Sequence, residues 1–413
     1  MISPEGAWDL ILRVSRPLPV IHLDLAGALD HGLASPVRAD RDMPPADRST
    51  RDGYALRSVD LKSQPAVLHV LGETAAGSHA ATSPGDGECV RIFTGANLPE
   101  GADTVVMVED TELEPDEAGG KELVRILKPP EKGSNVSLKG EVARQGDELI
   151  PAGSRLGAMA IAACAAAGLN TVEVHRRPAV SVLVTGAELR DANLEIESHE
   201  IRNSNGPMLA AALGLRGYEV ASSSYVTDDT ALIAEYLRAG LERSDVVVMT
   251  GGTSVGKYDL AADAIASIGG TIHFRGIDMT PGKPTMFATV DDGRYIFGLP
   301  GNPLGAMTGF HESVLPLLRR LAGWPPERCR PSLRVRLAED IAGRKGRQHH
   351  VLGRLKAGAD GLTAELIEGS GAADFAAGSK ADGTIVVPPD TVKLAAGSVC
   401  DFRVWREPMQ GSP

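Results

Sequence analysis

Three glycine-rich turns, each following a short apolar run, carry the residue types of an anion site. They are Val184-Thr185-Gly186-Ala187-Glu188, Met249-Thr250-Gly251-Gly252-Thr253-Ser254-Val255-Gly256 and Leu299-Pro300-Gly301-Asn302-Pro303. Gly, Ser and Thr in such loops leave backbone N–H groups and hydroxyls to meet phosphate or another oxyanion. Pro281-Gly282-Lys283-Pro284 adds an ammonium between two prolines whose fixed φ makes a stiff frame. The carboxylates Asp52, Glu188, Asp228 and Asp259 have the oxygen chemistry to hold Mg²⁺ if they converge. Each piece also has an ordinary explanation. Thr250 to Ser254 reads equally as a structural turn with Asp259 capping the next helix, and Lys283 as an exposed turn residue. Pro303 reads as a first helical residue, and the carboxylates as caps or solvated charges. Neither the GxxxxGK[ST] nor the GxGxxG spacing is present, and no GxSxG elbow supports serine hydrolase chemistry.

The runs Val180 to Val184, Asp245 to Met249 and Arg294 to Gly298 predict buried parallel strands. Their turns would then lie together at the carboxyl edge of the sheet, where open α/β sheets bind ligands. Asn203-Ser204-Asn205 caps a helix with Pro207 in its first turn, and Asp228-Asp229 opens another. Strands alternating with such helices predict a doubly wound parallel sheet from about Pro178 to Gly323. Ahead of it, residues 6–33 show helical spacing broken by Pro17 and Pro19, and short β runs follow from Val67 to Leu127. The acidic stretch Glu112 to Gly120 reads as a hairpin tip, and Leu156 to Gly168 as a buried, Ala-rich helix. The runs Leu333–Leu337, Val351–Lys356, Thr384–Pro388 and Val399–Val404 predict a small C-terminal β domain.

At 413 residues, the chain is long enough for two to four domains. A formal net charge of −12 argues against general nucleic-acid binding, which needs a basic footprint. Four scattered cysteines without a CxxC pair indicate neither a disulfide framework nor a zinc site, and ten histidines show no HExxH pattern. Met1 to Leu12 does not read as a signal peptide, and the longest apolar stretch is too short to span a bilayer. A cytoplasmic protein with no membrane partner is expected.

Taken in order, these pieces resemble one family: molybdopterin molybdenumtransferase, the MoeA and gephyrin E-domain family. The resemblance runs from about Leu10 to Trp405. It includes Arg51-Asp52-Gly53-Tyr54-Ala55-Leu56-Arg57, Arg91-Ile92-Phe93-Thr94-Gly95-Ala96 and Gly101-Ala102-Asp103 through Glu109. It continues through Asn203-Ser204-Asn205, Gly251 to Gly256, Pro281 to Pro284 and Gly298 to Pro303. The resemblance implies a multidomain α/β protein with a MogA-like doubly wound domain, residues 178–326, and a C-terminal β-barrel, 327–413. It also implies a discontinuous helical domain, 1–45 with 139–177, and an inserted β-rich domain, 46–138. The implied reaction inserts molybdate into adenylylated molybdopterin with release of AMP and Mg²⁺ assistance. Implied partners are a second copy of the chain, a MogA-like adenylyltransferase and molybdoenzyme apoproteins.

Carried over by motif, Asp52, Glu188, Asp259 and Lys283 would be catalytic, with Asp52 and Asp259 as ligands for Mg²⁺. Thr94, Asp228, Gly251, Gly252, Ser254, Pro300, Pro303 and Ser370 would bind substrate. The chain departs from the family pattern at Ala187 and Val142, where carboxylates are usual, and at Lys257, where an acid is. Asp47 to Asp52 carries Arg48 and Arg51 in place of Asn and Met, and an expected barrel arginine is Leu352. The lost carboxylates at Val142 and Ala187 keep open a non-catalytic pterin-binding or scaffold paralogue, and the like charge and size of the two oxyanions keep open a tungstate-selective insertase.

Overall fold

The computed structural model describes residues 1–62, 65–78, 82–114, 122–252, 260–291, 293–358 and 361–406. At its centre is a six-stranded sheet in the order Val220–Val226, Val180–Thr185, Val246–Thr250, Arg294–Leu299, Met286–Val290, Thr271–Arg275. The first four strands are parallel, and Met286–Val290 is the one reversed strand. Val180–Thr185 and Val246–Thr250 are buried at every position, as strands covered on both faces must be. Side chains alternate between faces. Val182, Val184 and Val248 pack under the helices Asn205–Gly214 and Pro303–Gly309, while Leu183, Val247 and Met249 meet Thr230–Arg243 and Leu260–Ser267.

The helix Pro4–Val14 is capped by Ser3, whose hydroxyl accepts from the Gly6 N–H. Although expected beside the Leu156 helix, it buries Ala7 and Ile11 in the core of the central sheet. Its four-residue apolar spacing gives it one narrow buried stripe, and that stripe finds the sheet. Ile2 also bridges to Ile277, near the Lys283 turn.

The spacing after Pro19 does not yield a second helix. Val20–Asp24 is a strand, paired antiparallel with Thr171–His175. Prolines 17 and 19 bias the chain toward extended backbone, and the strand's burial alternates from one residue to the next. Further on, Val37–Arg38 pairs with Glu148–Ile150 and Met43 bridges to Ala143, so the two ends of this unit close around an insertion. The helix Ala158–Ala166 is shorter than expected and not buried: Cys164 is its one buried residue, and Met159 is 83% exposed. Gly168 follows it at φ +80°.

The insertion is a six-stranded sheet with Gly53–Leu56 and Glu88–Ile92 near its middle. Thr111–Glu114 and Leu123–Ile126 form the expected hairpin, whose tip lies outside the described residues. At the carboxyl end, five strands close a barrel. Gln348–Gly358 pairs with Gly361–Leu366 on one side and Gly383–Val387 on the other, and Leu333–Leu337 and Val399–Val404 complete the ring. Gly361–Leu366 is the strand absent from the sequence-based expectation; its alternation is short and begins at glycine.

The barrel is fastened to the long helix of the central sheet. After Pro303–Gly309 this helix passes through a π-turn, Phe310–Val314, in which the Leu315 N–H donates to the Phe310 carbonyl. Glu312 in that turn is 4% exposed. It pairs with Arg330 at 2.5 Å and with Arg403 of the barrel at 2.7 Å. Burial works against the ionised carboxylate, but His350, Arg330 and Arg403 outweigh it and hold the carboxyl down to about 2. His350 is itself pushed down to about 4, chiefly by burial, so above that pH the two guanidiniums carry the compensation. No helix among the described residues is long and apolar enough to cross a membrane.

Candidate functional site

Parallel register brings the three turns to one edge. Val184 lies beside Thr250, and Thr250 beside Leu299, so Thr185, Gly251 and Pro300 stand at the same level, with Gly186 one residue beyond. The turns then pack on one another through glycine. Gly251 sits at φ +89° and Gly252 at φ +60°, a conformation that L side chains rarely adopt. A side chain at Gly251 would run into the Thr185 carbonyl, and one at Gly301 would reach the Gly251 Cα.

Asn205 ties two of the turns. Its amide donates to the Gly301 carbonyl at 2.7 Å and to the Thr250 hydroxyl at 3.3 Å. The capping of its helix falls instead to Asn203, whose side chain accepts from the Gly206 N–H at 3.0 Å. The Asn205 Oδ1 and Thr185 Oγ1 are buried and have no partner among the described residues. Buried polar atoms left short beside a glycine turn are what a ligand or ordered water would complete.

The remaining predicted residues gather round this edge. The Ala187 N–H approaches an Asp228 carboxylate oxygen at 3.4 Å, which places Asp228 next to exposed Glu188. Asp229, not Asp228, caps Thr230–Arg243, accepting from the Ala231 and Leu232 N–H groups. A side chain at Gly305 would meet both Pro300 and the Gly282 backbone, so the Lys283 turn adjoins the third loop. Lys283 is half-buried, and its ammonium has no anionic partner among the described residues. The barrel reaches the same place: the Leu304 N–H donates to the Ala372 carbonyl at 3.1 Å. Two residues before, Ser370 donates its N–H and hydroxyl to Asp374 at 2.8 and 3.0 Å, fixing the loop beside Pro303.

Asp52 and Thr94 form a second constellation in the inserted sheet. One oxygen of Asp52 accepts both the N–H and the hydroxyl of Thr94, each at 2.7 Å. Those two bonds hold the Asp52 carboxyl below the usual range, with a smaller pull from Arg91. No hydrogen bond or ion pair among the described residues links this pair to the sheet edge of the same chain. Ser254, Lys257 and Asp259 lie outside the described residues. Among the described residues no three acidic, His or Cys side chains converge as a metal cage. Of the departures, Val142 is 78% exposed, Ala187 is exposed, and Leu352 is buried in an apolar cluster with Leu304 and Trp405.

Asn205 and Thr185 are candidate site residues that sequence reasoning missed. The signal for Asn205 was present: Asn203-Ser204-Asn205 offers three capping side chains where a helix needs one. Thr185 gave none beyond its place in the first turn.

Comparison with known proteins accounts for nearly the whole chain. Residues 2–168 match the family described as MoeA N-terminal region (domain I and II). Residues 181–320 match the probable molybdopterin binding domain, and 334–405 the MoeA C-terminal region (domain IV). A protein of Staphylococcus aureus (strain COL) named molybdopterin molybdenumtransferase is 38% identical over 327 residues, 78% of this chain and 76% of the relative. One of the same name from Nostoc sp. is 34% identical over 398 residues, 94% of this chain and 87% of the relative. The crystal structure of the molybdopterin biosynthesis moea protein from Pyrococcus horikosii superposes with a TM-score of 0.78 at 30% identity. The match covers 98% of this chain and all of that one.

Proposed function

Because the chain belongs to the molybdopterin molybdenumtransferase family, we propose that its sheet edge inserts molybdate into adenylylated molybdopterin and releases AMP. Its role in molybdenum cofactor biosynthesis follows from the family. The observation that carries the finer reading is the convergence on one edge of three glycine turns, Lys283 and the Ser370 loop of the barrel.

The turns at Gly251, Gly252 and Pro300 are suited to hold the phosphates and pterin, since backbone can approach an anion closely where no Cβ intervenes. Lys283, held between prolines and without a carboxylate partner among the described residues, supplies positive charge for the molybdate dianion. Asp228 and Glu188 sit where they can orient polar groups of the substrate. Pro303 and Ser370 close the side toward the barrel. Asp52, kept ionised by Thr94, has its second oxygen free of hydrogen bonds among the described residues. That fits Mg²⁺, which takes one or two carboxylates and completes its shell with water and substrate phosphates. Asp52, with Asp259, would hold the ion, and it would polarise the phosphoanhydride.

We place Asp52 and Thr94 against the sheet edge of a second copy, in a cytoplasmic homodimer. The apolar outer surface of Ala158–Ala166, with Met159 83% exposed, supports such a pairing. The test is AMP release from adenylylated molybdopterin with Mg²⁺, with and without molybdate. Molybdate-dependent release, lost in Asp52→Ala, is the expected result. Binding of the pterin without any release would instead favour the scaffold role suggested by Ala187 and Val142.

A further inference from the structure

At the other end of the same strands, a cavity of about 640 Å³ opens between the central sheet, the barrel and the unit containing Asp30 and Arg155. Arg177 and Tyr218 lie just before the strands Val180–Thr185 and Val220–Val226, so this is the amino edge, remote from the glycine turns. Among the described residues the cavity is lined by seven arginines and a single carboxylate, Asp30, in a chain whose formal net charge is −12.

Four of the arginines have acidic partners. Arg155 pairs with Asp30 at 2.6 Å, Arg406 with Asp382 at 3.0 Å, and Arg330 and Arg403 share Glu312. Among the described residues the other three have only carbonyl oxygens as partners. Arg177 donates to Gly217 and Asp30 carbonyls, Arg216 to Trp405 at 2.6 Å, and Arg319 to Cys329 at 2.9 Å. Carbonyl dipoles orient a guanidinium without neutralising it. The carboxyl ends of Asn205–Gly214 and Leu315–Leu321 contribute about half a negative charge each, too little for three cations.

Stacking supplies part of the remainder. Arg177 covers the Tyr218 ring at 5.5 Å, and Arg155 and Arg319 approach Trp324 at 5.8 and 5.2 Å. Burial still pulls Arg216 and Arg319 below the ordinary arginine value, and neighbouring guanidiniums pull the same way. Along the lining, Arg177 Nε, Arg330 Nε, Ser332 Oγ and Trp405 Nε1 are buried without a partner among the described residues. A pocket so rich in planar donors and so short of acceptors matches a ligand that brings oxygen acceptors and negative charge together.

We propose that this cavity binds a small phosphorylated molecule through a group of at least two negative charges, at a site separate from the sheet-edge turns. Its volume suits a nucleotide-sized ligand. Three guanidiniums without a carboxylate partner among the described residues match the oxygens of a diphosphate better than one monoanion.

Calorimetry at low salt tests this with pyrophosphate, ADP, inorganic phosphate and molybdate as probes. Pyrophosphate or ADP should bind more tightly than either inorganic monomer, and binding should persist in Lys283→Gln, which alters the sheet edge. Arg319→Gln should weaken it at least tenfold. Leu215→Glu provides a second variant less exposed to folding defects: Leu215 is 76% exposed at the cavity lining, and the added carboxylate would supply the missing counter-charge in place of ligand. It should also weaken binding tenfold or more, with an unchanged or raised melting temperature. No binding by the folded wild type overturns the proposal. So does binding that Lys283→Gln abolishes, or that both cavity variants leave intact.

Discussion

At the scale of single residues, the site depends on side chains whose protonation and hydrogen bonding are set by a neighbour. Thr94 gives Asp52 two donors, and these hold its carboxyl below the usual range. A depressed carboxylate contributes its stabilisation above the ordinary value near 3.9 and loses it as pH falls through the depressed one. Thr94→Val removes one donor, so Asp52 should protonate at higher pH. The acid limb of the pH–rate profile for AMP release should then move upward. Asn205 carries a different burden, as it bonds to two turns at once. Asn205→Ala leaves the Gly301 carbonyl and Thr250 hydroxyl short and should cost about 1–3 kcal/mol in urea unfolding. Turnover should fall with it, because the turns lose their tie. Sequence showed most of this edge: the glycines, Lys283 and Pro303 announce themselves as turn chemistry. It hid Asn205 because a capping motif gives the same letters whether the amide caps a helix or braces a loop.

Elements place these residues by close approach rather than by bulk. Gly251 combines a positive φ with the Thr185 carbonyl standing where a side chain would go. Gly251→Ala should therefore displace the loop and raise the KM for the pterin substrate, while far-ultraviolet circular dichroism stays native. The long helix shows the opposite device, a buried charge. Glu312→Gln leaves Arg330 and Arg403 facing a neutral partner and should destabilise the fold by about 3–5 kcal/mol. The pH signature has a definite sign. The unfolded chain takes up protons first at both groups, so stability should fall as acid increases. His350 contributes from about 6.5 down to about 4, and Glu312 from 4.5 down to about 2. A denaturant series across those windows would show two steps, the lower one missing in the variant. The continuous apolar runs made the parallel strands readable. The barrel strand Gly361–Leu366 and the strand Val20–Asp24 were harder, because each is defined by its partner and not by its own pattern.

Across the whole molecule, the proposed dimer puts the apolar helix Ala158–Ala166 at an interface. Met159→Glu would bury a carboxylate there, and sedimentation should show a monomer that no longer releases AMP. Long-range arrangements of this kind leave faint traces in sequence. The seven cavity arginines come from segments spread between residues 155 and 406, with no local motif to mark them. One helix spans the distance between the two edges, from Pro303 beside the Ser370 loop to Arg319 over Trp324, and its π-turn lies between them. A π-turn absorbs one residue more than the α-helical turn it replaces. Were that extra residue taken up as ordinary α-helix, everything beyond it would rotate by about 100° and advance about 1.5 Å. Arg319 would swing off the indole, and Leu318 out of the core. The number of residues between the two ends therefore sets the angular phase of the second half, so a change in length there would be felt at one edge and not at the other.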